Sequence, residues 1–256
     1  MSKLAVIGGS GLEKLLKAGE PFKVDTKYGQ SNEIFRFSCE GVEGYFLARH
    51  GLKHALHPHK VNYRANIAAL KELDVERIIA VSAVGSLREN LPPGSIVLPD
   101  DFIDFTKRRP LTMYEDRVVH VDVTEPFCPE LRKAILEASD ELGIDVVDGG
   151  VYCCMEGPRY ETKAEIRFLR LLGGSMVGMT VATEAVLARE LEICYAPICV
   201  VTNYAAGIQK KLTVSEVLEV MEKKREAIKN LVLEALKKVP EKRRCPCSRA
   251  LEDASF

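Results

Sequence analysis

Short apolar runs alternate with longer amphipathic stretches along most of the chain. Runs at 3–8, 44–49 (Gly44-Tyr45-Phe46-Leu47-Ala48-Arg49), 77–84, 95–99, 151–156 and 197–203 read as strands, several apolar throughout, as in strands covered on both faces. Apolar positions recurring every three or four residues predict helices at about 60–73, 129–143, 162–172, 184–192 and 214–238. Two of these begin with capping boxes, Thr162-x-x-Glu165 and Thr213-x-x-Glu216. The last carries Val217, Leu218, Met221, Ile228, Leu231, Val232 and Leu236 at mostly helical spacing, and Pro240 helps to end it. This alternation predicts an α/β fold: a single domain over 1–240, with a central mixed β-sheet flanked by helices. A short polar tail, 241–256, follows and contains Cys245-Pro246-Cys247.

Composition narrows the function classes. The 256 residues include 36 Lys+Arg against 37 Asp+Glu, a net charge of −1, which argues against a general nucleic-acid binder. No apolar run approaches the length of a membrane span, and Met1-Ser2-Lys3-Leu4-Ala5-Val6 does not read as a signal peptide. A cytoplasmic protein without nucleic-acid or membrane partners is therefore expected. Of eight cysteines, Cys39, Cys128, Cys153, Cys154, Cys194 and Cys199 read as small core residues. The C-x-C of the tail does not match a C-x2-C metal knuckle, and a redox or disulfide role for it stays open.

Polar and glycine-rich residues gather where the predicted strands end, which is where α/β sheets place ligands. Gly8-Gly9-Ser10-Gly11 is a turn able to cradle an anion, but it is neither a dinucleotide fingerprint nor a P-loop. Arg49-His50-Gly51 ends a second strand, and guanidinium suits a phosphate oxyanion. Ser82-Ala83 offers a hydroxyl beside small residues at a third. His50, His54, His57 and His59 lie close in sequence, yet Gly51 and Pro58 oppose a regular helix and no carboxylate completes a metal site there; no metal is expected. Glu161 stands just before a helix start, where the dipole alone would favour a carboxylate. Thr202-Asn203 follows an apolar strand and is either a turn or a base-reading amide.

Together Gly9-Ser10-Gly11, Arg49-His50-Gly51, 60–66 (Lys60-Val61-Asn62-Tyr63-Arg64-Ala65-Asn66), Ser82-Ala83-Val84-Gly85-Ser86-Leu87-Arg88, Glu125-Pro126-Phe127-Cys128, Glu156-Gly157-Pro158-Arg159 and Gly178-Met179-Thr180 resemble the purine nucleoside and methylthioadenosine phosphorylases of the trimeric type. The resemblance implies the nucleoside phosphorylase fold and cleavage of a purine N-glycosidic bond by inorganic phosphate. Phosphate is then a co-substrate, and no cofactor is implied. It assigns the phosphate site to Ser10, Arg49, His50, Ser82, Ala83 and Thr180, and the ribose wall to Tyr160 and Met179. Glu161 and Asn203 match the base-reading pair; with His50 they are the residues implied to carry the chemistry. His120 matches a histidine that reaches a neighbouring subunit's pocket, implying a homotrimer or a dimer of trimers with a shared site.

Base preference follows from donor and acceptor patterns. A 6-oxopurine carries an N1–H donor, whereas adenine offers only an acceptor there, so a carboxylate at 161 selects the former. Adenine-specific relatives usually carry Ser and Asp where this chain has Glu161 and Asn203. Ala205 follows the base reader, and Val214, Val217 and Leu218 match an apolar wall that receives a 5′-methylthio group, or else are ordinary core residues. The expected substrate is S-methyl-5′-thioinosine, yielding hypoxanthine and 5-methylthioribose 1-phosphate. An inosine/guanosine phosphorylase is the alternative, then a methylthioadenosine phosphorylase; a silent nucleoside-binding protein is the reading from another class. A nucleotide-binding oxidoreductase built on Gly8–Gly11 is opposed by the failed fingerprint. Thr183 in place of a usual proline, and Ala205-Ala206-Gly207 in place of an acidic segment, depart from the family pattern.

Overall fold

The computed structural model describes residues 4–9, 16, 19–52 and 55–255. Its strands are β1 (Leu4–Gly8), β2 (Pro21–Phe22), β3 (Asp25–Thr26), β4 (Gly29–Gln30), β5 (Ile34–Cys39), β6 (Val42–Ala48) and β7 (Arg77–Ser86). They continue with β8 (Ile96–Leu98), β9 (Asp101–Asp104), β10 (Val146–Asp148), β11 (Val151–Cys154), β12 (Gly174–Gly178) and β13 (Cys194–Tyr204). The α-helices are α1 (Tyr63–Glu72), α2 (Pro129–Leu142), α3 (Lys163–Leu171), α4 (Val181–Glu190) and α5 (Val214–Lys238).

Eleven strands form one mixed sheet, with β10-β8-β13-β7-β1-β6-β5-β2 in order and β12-β11-β9 branching from β7. Side chains alternate across it, because successive Cβ atoms point to opposite faces. Leu4 and Val6 of β1 join Ile79, Val81, Ile198 and Val200 on one face, covered by Leu131 and Ile135 of α2 and Ile228, Leu231 and Val232 of α5. Ala5 and Ile7 join Ile78, Ala80, Cys199 and Val201 on the other, covered by Ile67 and Leu70 of α1 and Val181, Ala185 and Leu187 of α4. A smaller cluster of Leu87, Cys153, Ile166, Leu169, Val177 and Ala205 sits beneath α3.

The predicted α/β fold and mixed sheet are observed, and the helix at 214–238 matches α5 end for end. Both predicted capping boxes form, at Thr162 and Thr213. The helix expected at 60–73 is instead a short 3-10 turn (Pro58–Lys60) followed by α1, which Asn62 caps by accepting from the Ala65 N–H. The helix expected at 184–192 begins earlier, at Val181; its N-cap Thr180 makes no side-chain cap, so no capping box marks the start in the sequence.

One topological detail prepares the site. The edge of β7 opposite β13 pairs with β1 over Arg77–Ala80 and with β12 at Gly85–Ser86. Between these stretches, Val81–Val84 keeps its ladder, among the described residues, with β13 only. The sheet splits there, and Ala83 is the one exposed residue in a strand otherwise buried from end to end.

Candidate active site

Arg49 leaves the end of β6 beside Gly8, whose carbonyl accepts its backbone N–H at 3.0 Å. Its guanidinium, 3% exposed, is gripped by Glu184 in the first turn of α4: Nε to Oε1 at 2.5 Å and Nη2 to Oε2 at 2.9 Å. Nη1 donates to the Val81 carbonyl at 2.8 Å, so Arg49 spans the split from β6 across β7 to α4. Burial works against this charge, but the adjoining Glu184 carboxylate outweighs it and holds the arginine's pKa above its ordinary value. The Tyr195 hydroxyl donates to the same carboxylate at 2.7 Å.

Across the split, the Tyr152 hydroxyl accepts from the Thr180 backbone N–H at 3.3 Å and lies in contact with Ser82. It joins the β7 segment to the N-terminus of α4. Gly178 makes this possible, since a Cβ there would collide with the Tyr152 ring and hydroxyl. Thr180 is 4% exposed, and its Oγ1 finds no hydrogen-bond partner among the described residues. A buried free hydroxyl, a helix N-terminus, a fixed guanidinium and the open backbone at Ala83 thus converge on one place, a combination suited to an oxyanion. His50, 8% exposed, is oriented by an Nδ1 contact with the Leu56 carbonyl at 3.0 Å. Ser10 and His54 lie outside the described residues.

The second half of the site forms at the far end of β13. A register shift between Val201 and Asn203 sets Asn203 opposite Gly85, and a Cβ on Gly85 would stand 3.1 Å from the Asn203 Nδ2. Thr202 Oγ1 donates to Asn203 Oδ1 at 2.9 Å while Nδ2 donates to the Tyr204 carbonyl at 2.9 Å. The amide oxygen is therefore engaged, and Nδ2 keeps its second hydrogen for a ligand acceptor. Glu161 is 9% exposed, and burial raises its carboxyl above the ordinary carboxylate value. It acts electrostatically on Cys153. Asn203 lies near Val177, and Cys153, Val177 and Ala205 share one apolar cluster, so Glu161 and Asn203 border a common apolar patch. Met179 packs against Gly157 on the neighbouring turn.

Other predicted residues stand further out. Tyr160 is 38% exposed, near Glu161 and Glu216. Val214 and Leu218, at the start of α5, are 63% and 64% exposed and Val217 is half-buried, so the first two are not core residues of this chain. His120 is exposed on the long connection between β9 and α2, and its backbone N–H donates to the Ala254 carbonyl at 2.7 Å. Glu190 and Arg189 of α4 hold that connection, the first through the hydroxyl of Thr112 at 2.9 Å and the second through the Glu125 carbonyl at 2.6 Å.

Sequence reasoning missed Glu184 as the partner of Arg49, Tyr152 as the bridge, and Arg109. The last donates to the Tyr63 hydroxyl at 2.7 Å and to Glu156 at 3.0 Å, anchoring the loop before Gly157. Only the position of Glu184 in a helical first turn hinted at a structural carboxylate. Thr183 is buried, and its Oγ1 has no hydrogen-bond partner among the described residues.

The profile of the phosphorylase superfamily matches residues 3–237. A probable S-methyl-5′-thioinosine phosphorylase of Thermodesulfovibrio yellowstonii is 50% identical, covering 99% of this chain and 97% of its own. The 6-oxopurine nucleoside phosphorylase of Pyrococcus furiosus is 51% identical over the whole of both chains. Among solved structures, a methylthioadenosine phosphorylase from an antarctic soil metagenomic library superposes with a TM-score of 0.93 at 35% identity, covering 100% of this chain and 92% of that one.

Proposed function

Since the chain belongs to the phosphorylase superfamily, we propose that it cleaves the N-glycosidic bond of a 6-oxopurine nucleoside with inorganic phosphate. S-methyl-5′-thioinosine is the preferred substrate in this reading, giving hypoxanthine and 5-methylthioribose 1-phosphate. The observation that carries it is the buried Glu161 bordering the same apolar patch as an Asn203 whose amide is turned to donate. Glu161 accepts the N1–H, and Asn203 donates toward N7 and O6. Adenine would set its N1 lone pair against that carboxylate.

The reaction follows from this geometry. As the bond between C1′ and N9 breaks, its electron pair moves onto the purine and the sugar becomes oxocarbenium-like. Asn203 stabilises the charge growing at N7, with no reorganisation needed at that moment. Phosphate, held by Arg49, Ser82, the Ala83 backbone, Thr180, His50 and Ser10, adds to C1′ from the opposite face. Tyr160 and Met179 line the ribose, and Ala205 adds to the floor beside the base. The reaction requires no cofactor.

Val214 and Leu218, exposed at the start of α5 with Val217 beside them, form the apolar wall for the methylthio group. His120 completes the site of a neighbouring subunit in a homotrimer or dimer of trimers, and the enzyme is cytoplasmic. A general inosine/guanosine phosphorylase is the second reading, supported by the equally similar Pyrococcus enzyme, which is named for 6-oxopurine nucleosides.

The test follows base release from methylthioinosine, inosine, guanosine and methylthioadenosine, with and without phosphate. Phosphate-dependent hypoxanthine release, fastest from methylthioinosine, is expected. Equal rates on inosine would establish the second reading. Fastest turnover of methylthioadenosine would overturn the base assignment, and no turnover of any of them would leave a nucleoside-binding protein.

A further inference from the structure

Away from the catalytic residues, four cysteines distant in sequence meet in the core. Cys128 is the N-cap of α2, Cys194 opens β13, Cys245 caps the 3-10 turn Pro246–Arg249 and Cys247 lies within that turn. All four are buried, at 1%, 0%, 5% and 1% exposure. Their Sγ atoms all lie within 4.8 Å of one another, with Cys194 and Cys245 at 3.3 Å. Four sulfur atoms so mutually close can all reach a single ion placed among them. A zinc ion bonded to four thiolates at about 2.3 Å sets its sulfurs ~3.8 Å apart, within the range seen here.

We propose that Cys128, Cys194, Cys245 and Cys247 form a structural tetrathiolate zinc site that locks the C-terminal segment onto the body of the protein. The C-x-C spacing looked unlike a metal knuckle because half of the ligand set comes from α2 and β13, which only the fold brings near. An all-sulfur set of four donors selects zinc among the common divalent ions, since hard cations prefer oxygen donors. Binding exchanges four S–H protons for one divalent ion, so the site carries a net charge of −2. The run Lys242-Arg243-Arg244 immediately precedes Cys245 and opposes that charge.

The segment so anchored has further attachments. Pro240 accepts a hydrogen bond from Arg77 at 2.5 Å, the Arg244 N–H donates to Glu130 at 2.7 Å, and Arg243 donates to the Glu192 carbonyl at 2.6 Å. Beyond the cysteines the chain reaches the His120 connection, where Ser255 bridges Val119 and Ala254 accepts from His120. The metal would therefore fix one end of a strap whose other end braces His120. The cysteine geometry alone carries the zinc site, which stands or falls independently of the substrate assignment.

The full-length chain, purified without chelator, is expected to contain one zinc per chain by elemental analysis. Anaerobic reduction, chelation and addition of Co2+ should give the intense visible bands and sulfur-to-metal charge transfer of tetrahedral cobalt thiolate at one equivalent. Cys247→Ser and Cys128→Ser should each lose the metal, while Cys39→Ser, altered elsewhere in the core, keeps it. Chelation of the wild-type chain should accelerate trypsin cleavage after Lys242, Arg243 or Arg244 at least tenfold, reversed by zinc; this needs no variant to fold. Failure of the reduced chain to bind Zn2+ or Co2+ would overturn the proposal. In that event, four thiols of the eight appearing only after reductant would identify two disulfides, and eight thiols reactive in denaturant alone would identify ordinary core packing.

Discussion

In the proposed reading Glu161 accepts an N1–H most strongly as a carboxylate, and its burial works against that charge. Because the folded-state value is raised, the folded chain holds this proton more tightly than the unfolded chain. The stabilisation is complete at low pH and is lost as pH rises through the raised value. At neutral pH the carboxylate is thus a cost to the fold, so Glu161→Gln should raise Tm by about 2 °C. The same change should remove the acidic limb from the pH profile of kcat/KM on inosine, a limb that in the wild type lies above the ordinary carboxylate range. An unchanged limb would assign it to another group. The double change of Glu161→Ser with Asn203→Asp should move preference toward 6-aminopurines by roughly ten- to a hundredfold, as a reversed buried donor–acceptor match would. Competition between inosine and adenosine reads this directly. Arg49 is tied to Glu184 with both partners 3% exposed at the side chain. Glu184→Gln should raise the KM for phosphate about tenfold or more while leaving the KM for nucleoside near its original value. The broken buried pair should cost about 3–5 kcal/mol in denaturant unfolding. An unchanged phosphate KM would remove Arg49 from the phosphate site.

At the scale of elements, the helices were the most legible. Periodicity and capping boxes located α3 and α5 to within a residue, because a side-chain cap marks a helix start in the sequence itself. Central strands were legible for a different reason: β7 and β13, covered by helices on both faces, are almost wholly apolar. β12 was not, since Gly174 and Gly178 bracket it and only Val177 has a β-branched side chain. β5 alternates buried and exposed positions from Phe35 to Cys39, so Arg36 and Ser38 interrupt the continuous apolar run that marks a central strand. Motifs at strand ends pointed to Arg49, Ser82, Thr180 and Asn203, but not to what holds them. The Arg49–Glu184 pair spans 135 residues, and no local pattern encodes a pairing at that range. Exposure separates the two roles considered for the start of α5. Leu218→Ala should leave Tm within about 1 °C, since 64% of the side chain is already in water, and should reduce the preference for methylthioinosine over inosine roughly tenfold. Unchanged selectivity would deny Leu218 any contact with the sugar's 5′ end.

For the whole molecule, the shared-site reading predicts complementation. His120→Ala and Arg49→Ala homo-oligomers, each impaired, should regain activity when mixed and reassembled, because some sites then combine an intact Arg49 with a neighbour's intact His120. Sedimentation of the wild type should report three or six chains; a monomer with full activity would exclude a shared site. The divided edge of β7 has a consequence for the order in which the molecule is made. Its first partner on that edge, β1, precedes it in the chain, whereas β12 follows about ninety residues later and β13 later still. A nascent chain that has emerged only through β7 possesses Arg49 and Ser82 but neither Thr180 nor Glu184. Phosphate should accordingly recognise the finished protein and ignore its synthetic intermediates. Its presence would raise the melting temperature by mass action, with no effect on how early folding begins.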